Sequence, residues 1–170
     1  MMKTWYLLYC KRGEQERAKS HLENQEVECF YPKFEVEKIL RGKRKKVQEP
    51  VFPSYIFVKF DYQQGPTFTA VRSTRGVVDF VRFGAEPKGL SDELIETLQQ
   101  MDYLPTDNHP GLPLKGQKIE IKSGQFAGIS AIYQEPDGEA RSMMLVNMIN
   151  QPVSISFDNQ DLDLKNAVTV

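Results

Sequence analysis

The stretch TWYLLYC, residues 4–10, carries large apolar side chains on both sides of a period-two repeat. Trp5, Leu7 and Tyr9 alternate with Tyr6, Leu8 and Cys10. That pattern predicts a strand buried on both faces, so the rest of the chain has to supply its cover.

The following segments read as that cover. After Gly13, EQERAKSHLENQ has strong helix formers and no breaker, and its apolar side is only Ala18 and Leu22, which predicts a surface helix. CFYP, KFEVEKIL, RKKV and YIFVKF read as strands, and the Arg41-Gly42 turn between extended arms predicts a basic hairpin. TFTAVRSTRG predicts a short helix ended by Gly76, and VVDFVRFG a further strand. Ser91 as N-cap, Asp92 and Glu93 in the first turn, and Leu90 with Ile95 as a hydrophobic staple start another helix, whose buried stripe is Leu94, Leu98 and Met101. A sheet with flanking helices makes residues 1–101 an α+β domain. The stretch DYLPTDNHPGLPLK, with three prolines, predicts a linker over 102–115 and leaves 116–170 as a small second domain.

Composition narrows the function. A chain of 170 residues with 40% hydrophobic content and a formal net charge of -1 has room for one ordinary domain or two small ones, and is neither disordered nor a general polyanion binder. No run reaches the roughly 18 apolar residues of a membrane span, and the N-terminus lacks a signal-peptide cleavage pattern, so a cytoplasmic location is expected. Cys10 and Cys29 have no metal-ligand or disulfide spacing and read as small buried hydrophobes, so no metal site is expected. His21 and His109 are the only histidines, and neither lies in a hydrolase or metalloprotease motif. A hydrolase built on Cys10 and His21 lacks any activating motif, so the chain is not expected to be an enzyme or to carry a cofactor.

Two polar clusters stand out. Arg17, His21 and Asn24 share one helix face, with Gln25 beside them and Lys11 and Arg12 just before, while Arg72, Thr74 and Arg75 cluster at the end of the second helix. Long donors, amides and a hydroxyl suit phosphates and unpaired base edges, although exposed helix faces usually have such compositions. Arg41, Lys43, Arg44, Lys45 and Lys46 form a basic run that either tracks a nucleic-acid backbone or keeps a hairpin tip soluble. Pro53, Tyr55, Phe57, Phe83, Ile95 and Leu98 supply more apolar surface than so small a sheet must bury.

GQFAGISAIYQEPDGEARSMMLVNMIN, residues 124–150, fits two templates at once. With a period of two, Ile129, Ala131 and Tyr133 share a strand face; near 3.6, Phe126, Ile129 and Tyr133 line one helix side, and Ala140, Met144, Leu145, Met148 and Ile149 form a broad apolar arc. Glu135 and the Glu139–Leu145 run favour helix, whereas Gly124 and Gly128 each cost a helix about 1 kcal/mol relative to Ala. Ile119, Ile121 and the alternation of Val153, Ile155 and Phe157 favour strand. Pro136-Asp137-Gly138 serves as a turn between strands or as the start of a second helix with Asp137 as cap.

WYLLYCKRG, EPVFPSYIFV, TRGVVDFVRFG and GQFAGISAIYQEPDGEARSM together resemble the NusG family of transcription elongation factors, and within it the operon-specific RfaH-type branch. The resemblance covers essentially the whole chain. It implies an N-terminal domain that binds the RNA polymerase clamp helices through Pro53, Tyr55, Phe57, Phe83, Ile95 and Leu98, with Thr67, Phe68 and Thr69 at the gate loop. Thr67-Phe68-Thr69 departs from the family's His-Thr-Thr but keeps its last threonine. It implies contacts from Lys11, Arg17, His21, Gln25, Arg72, Thr74 and Arg75 to a non-template, single-stranded or hairpin DNA at a pause site; Asn24 stands where the family pattern has a basic residue.

The resemblance further implies that 116–170 is a KOW-type domain, packed as a helical hairpin against the polymerase-binding patch and converting to a five-stranded barrel on release. Phe126, Ile129, Leu145, Met148 and Ile149 would cover the patch, and Glu49 and Arg141 would pair between the domains. The freed barrel would recruit a small-subunit ribosomal protein. The expected protein is therefore a monomeric, membrane-free antitermination factor. The other readings are a general NusG-like factor with a permanent barrel, or a KOW-type ribosome or RNA-binding module.

Overall fold

A computed structural model of the chain describes residues 3–82, 84–101 and 128–150. The chain divides into two compact units, one made of Met1–Pro32 and Phe52–Gln99, the other of Lys33–Val51 and Gln100–Val170. The segment 33–51 thus belongs with the later part of the sequence, although it interrupts the first unit.

In the first unit, β1 (Thr4–Cys10) is followed by α1 (Gln15–Glu23), β2 (Glu28–Phe30), β5 (Tyr55–Phe60), α2 (Phe68–Arg72), β6 (Val77–Phe80) and α3 (Asp92–Gln100), while β3 (Lys33–Leu40) and β4 (Lys43–Pro50) belong to the second unit. The sheet runs β2-β5-β1-β6, with antiparallel pairing throughout. β1 sits inside it, pairing Leu7 with Phe57 and Tyr9 with Tyr55 on one side and Leu8 with Phe80 on the other.

Both faces of β1 are buried as its alternation predicts, except at Tyr9, which the pattern placed with Trp5 and Leu7 but which is 43% exposed near the strand's end. Tyr6, Leu8 and Cys10 join Ile56, Val58 and Phe60 in a core closed by Ala18 and Leu22 of α1 and Val71 of α2. Trp5 and Leu7 are buried on the other side. There the Trp5 carbonyl accepts from the Leu90 N–H at 2.8 Å, and Lys59 Nζ lies 5.6 Å from the Trp5 ring centre and 3.5 Å from Asp92 Oδ1. These contacts tie the start of α3 to the sheet. The Leu94 N–H donates to Ser91 Oγ at 3.1 Å, so the predicted cap forms, and Leu94, Ile95 and Leu98 are buried.

In the second unit, β3 (Lys33–Leu40) and β4 (Lys43–Pro50) pair antiparallel from Lys33↔Pro50 to Leu40↔Lys43. Arg41 and Gly42 form the two-residue loop, with φ of 54° and 78°. Two positive values match the primed hairpin turns whose twist suits the flanking strands. The double pattern of the later stretch resolves as helix over α4 (Ile129–Gln134) and α5 (Gly138–Asn150). Asp137 caps α5, accepting through Oδ1 from the Glu139 N–H at 3.2 Å. Phe83, Phe126, the 102–115 linker and the strand-favouring residues Ile119, Ile121, Val153, Ile155 and Phe157 lie outside the described residues.

Candidate functional site

Three segments of the first unit meet to build a polar surface. The Lys11 N–H donates to the Gly76 carbonyl at 2.8 Å, which holds the end of β1 beside the turn that follows α2. Gly76 is required there. Its φ is 93°, and a Cβ would lie 3.0 Å from the Glu14 carbonyl oxygen and 3.2 Å from the Ala18 Cβ, so a side chain would push the turn off α1.

Gln25 locks the third segment. Its Nε2 donates to Thr74 Oγ1 at 2.8 Å and to the His21 carbonyl at 3.3 Å, while Thr74 Oγ1 donates to the Ala70 carbonyl at 3.0 Å. α1 and α2 are thereby joined through a single hydroxyl. Lys11, Arg17, His21, Arg72 and Arg75 are exposed around this link, and Arg17 Nη1 lies 3.7 Å from Glu14 Oε1. Thr74 is different: only 7% exposed, with its hydroxyl engaged in both directions. It braces the surface from behind.

Of the predicted polymerase contacts, Pro53 and Tyr55 are half-buried, and Tyr55 packs on the exposed Tyr9 with ring centres 5.3 Å apart. Phe57, Ile95 and Leu98 are each 1% exposed, so no partner reaches them in this conformation. Thr67 caps α2, its Oγ1 accepting from the Ala70 N–H at 3.0 Å. Phe68 stacks on Tyr62 at 4.6 Å and meets Tyr6, Phe60 and Phe80 edge-on at 5.2–5.7 Å, which anchors the helix. Thr69 is exposed between these anchors.

In the second unit, Ile129, Leu145 and Ile149 are buried and Met148 is half-buried. Arg141 is 2% exposed. Its Nε donates to the Val51 carbonyl at 2.8 Å and its Nη1 to those of Glu135 at 2.8 Å and Pro136 at 3.1 Å, while its guanidinium carbon lies 5.4 Å from the Phe34 ring centre. The Glu49 carboxylate is engaged by Lys38 of the same hairpin. Glu49 and Arg141 therefore have different partners, and the ion pair between them that the resemblance implies is not among the described contacts.

Cys10 offers no nucleophile. Burial, with a smaller contribution from Cys29, pushes its thiol up to about 12, and burial does the same to Cys29. Among the described residues there is no group of three His, Cys, Asp or Glu able to hold a metal ion, and no helix long and apolar enough to cross a membrane.

An α+β sheet domain with a braced polar face on its helices is the class of protein these features define. The family described as transcription termination factor nusG matches residues 3–99. The chain belongs to the NusG family. Among its relatives are the transcription termination/antitermination proteins NusG of Staphylococcus carnosus, 29% identical over 92% of this chain and 93% of that protein, and of Thermus thermophilus, 26% identical over 90% and 95%. The Streptomyces virginiae protein is 27% identical over 91% of this chain, which spans only 61% of its length. A solved structure described as domain interaction in Thermotoga maritima NusG is 22% identical, with a TM-score of 0.40 over 69% of each chain.

Proposed function

We propose that this protein is an operon-specific elongation and antitermination factor of the RfaH type, which engages RNA polymerase paused at a non-template DNA hairpin. Lys11, Arg17, His21, Arg72 and Arg75 hold the DNA, with Gln25 among them. Pro53, Tyr55, Phe57, Phe83, Ile95 and Leu98 dock on the polymerase clamp helices once uncovered, and Thr67 and Thr69 meet the gate loop. The released C-terminal segment refolds to a barrel and recruits a small-subunit ribosomal protein.

The observation that carries this reading is the helical state of Ile129–Gln134 and Gly138–Asn150 in a segment whose resemblance is to a barrel. At six residues α4 is well short of, and at 13 α5 only within, the roughly 12–15 residues around which isolated helices are marginal in water, so their stability comes mainly from tertiary packing.

Cutting the chain tests it. A protease site placed within residues 102–115 is cleaved, and ellipticity at 222 nm and affinity for core RNA polymerase are measured before and after. The expected result is loss of helical signal on dilution and tighter polymerase binding. Unchanged affinity, with helix retained, would mean that the C-terminal segment conceals nothing.

A further inference from the structure

The chain enters β5 through a turn built on a residue ill suited to it. The Tyr55 N–H donates to the Phe52 carbonyl at 3.2 Å, which closes a β-turn over Phe52, Pro53, Ser54 and Tyr55. Ser54 has a φ of 74°. Proline at the second position fixes a negative φ there, so a positive φ at the third makes the turn type II, whose third position favours glycine or asparagine. A serine there brings its own Cβ close to the next carbonyl. Among the described residues its hydroxyl makes no hydrogen bond, so the side chain does not offset that strain.

Both ends of the turn are fixed. Phe52 is 1% exposed, with its ring edge-on to Phe57 at 6.1 Å, and its carbonyl also accepts from Gln15 Nε2 at 3.3 Å. The Ser54 carbonyl accepts from the Cys10 N–H at 2.7 Å, and Tyr55 lies opposite Tyr9 with ring centres 5.3 Å apart. Between these anchors Pro53 and Tyr55 stay half-buried at the surface, whereas Phe57, two residues further along the strand, is fully covered.

From this we infer that Ser54 is a positioning residue for the polymerase contact, and that its left-handed backbone, not its hydroxyl, aims Pro53 and Tyr55. The inference rests on the reading above in which those two residues dock on the polymerase, and adds what holds them in place. A residue that resists a positive φ must open the turn, losing the bond from the Tyr55 N–H to the Phe52 carbonyl or that from the Cys10 N–H to the Ser54 carbonyl. β5 cannot slip to compensate, because Ile56, Val58 and Phe60 hold its register in the core. The displacement is therefore confined to Pro53, Ser54 and Tyr55. Backbone strain retained at such a place serves geometry at the expense of stability.

Two substitutions separate backbone from hydroxyl. Ser54→Gly removes the hydroxyl and relieves the strain, while Ser54→Thr keeps the hydroxyl and adds a branch at Cβ that disfavours positive φ. Full-length chains carrying a fluorescent label are titrated with core RNA polymerase, and thermal unfolding confirms that each is folded. Ser54→Gly should bind within about twofold of the unaltered chain and Ser54→Thr about tenfold more weakly, the scale of one misplaced interface anchor. In a Tyr55→Ala background the change from Ser to Thr should lose most of its effect, a non-additivity that a general loss of stability does not produce.

Equal weakening by Ser54→Gly and Ser54→Thr would overturn the inference, because the hydroxyl would then be the contact. So would unchanged binding by Ser54→Thr, or a loss of the same size with and without the Tyr55 ring. In each of these cases a weakened Tyr55→Ala leaves the polymerase-contact reading standing. If Tyr55→Ala binds as the unaltered chain does, that reading fails and the inference with it. Should Ser54→Thr not fold, Ser54→Ala takes its place, unbranched but still strained at positive φ, with an expected loss between those of Gly and Thr.

Discussion

Arg141 lays its guanidinium carbon 5.4 Å from the centre of the Phe34 ring while its Nε donates to the Val51 carbonyl, 90 residues earlier in the chain. A cation buried this deeply is retained only if its donors are satisfied, and here main-chain carbonyls of Val51, Glu135 and Pro136 do so. The residue joins the turn before α5 to the base of the β3–β4 hairpin.

Arg141→Ala leaves those carbonyls without their charged donor. Helical-state stability should fall by about 2–4 kcal/mol, since hydrogen bonds to charged groups contribute about 1.5–3 kcal/mol each and do not sum fully. Urea titration followed at 222 nm measures it. Arg141→Lys should recover less than half, because an ammonium cannot reach several carbonyls from one rigid fork.

Phe34→Leu keeps an apolar side chain but removes the ring face. A double-mutant cycle of Phe34→Leu with Arg141→Gln, which removes the charge, should give a coupling of about 1 kcal/mol, the scale of a partly desolvated cation–π contact. A coupling near zero would assign Arg141's role entirely to its hydrogen bonds.

Glu49→Lys is expected to do little. Glu49 pairs with Lys38, whose side chain is 50% exposed, so the loss should stay below about 1 kcal/mol. A loss as large as that of Arg141→Ala would show that Glu49 turns to Arg141 in solution.

Alkaline pH should weaken the first unit. Burial raises the Cys10 thiol from its ordinary 9.0 to about 12, so the folded state holds this proton more tightly than the unfolded chain. The resulting stability is fully present below pH 9.0 and is lost as pH rises towards about 12. Cys10→Ala should therefore show a shallower fall of unfolding free energy with pH across that window. An unchanged slope would place the titration elsewhere.

At the acid end Asp79 is the group to follow. Desolvation pushes its carboxyl up, but the Arg82 guanidinium, at 2.6 and 2.7 Å from its two oxygens, and the Phe80 N–H hold it below the ordinary value. The stability it contributes is present above the unfolded carboxylate pKa and disappears as pH falls through the folded one. Asp79→Asn should remove that part of the acid dependence, measurable as a flatter thermal midpoint against pH.

The double-faced apolar pattern of residues 4–10 was sufficient to place β1 inside the sheet, because burial on both sides leaves no other position. Ser91 marked the start of α3, and Arg41-Gly42 the hairpin turn, through local chemistry that acts within a few residues. The Gln25–Thr74 bond was not legible, since it spans 49 residues and both side chains suit direct DNA contact equally well. The carbonyl partners of Arg141 were not legible for a related reason. The family resemblance implied a Glu49 partner, whereas the carbonyls that accept from Arg141 are brought to it by packing over as many as 90 residues of chain.

The membership of residues 33–51 in the second unit carries a consequence for the order of events during synthesis. The hairpin leaves the ribosome well before residues 129–150 exist, so the surface that Arg141 grips is present before its partner helices can form. α4, with six residues, lacks the length to persist as a helix unaided and α5, with 13, is marginal, so both gain from a platform already made. Direction of translation thereby becomes part of the folding instruction: a circular permutant that delivered residues 128–150 first would expose that segment, without its receptor, to whatever pairing its strand-forming alternation allows.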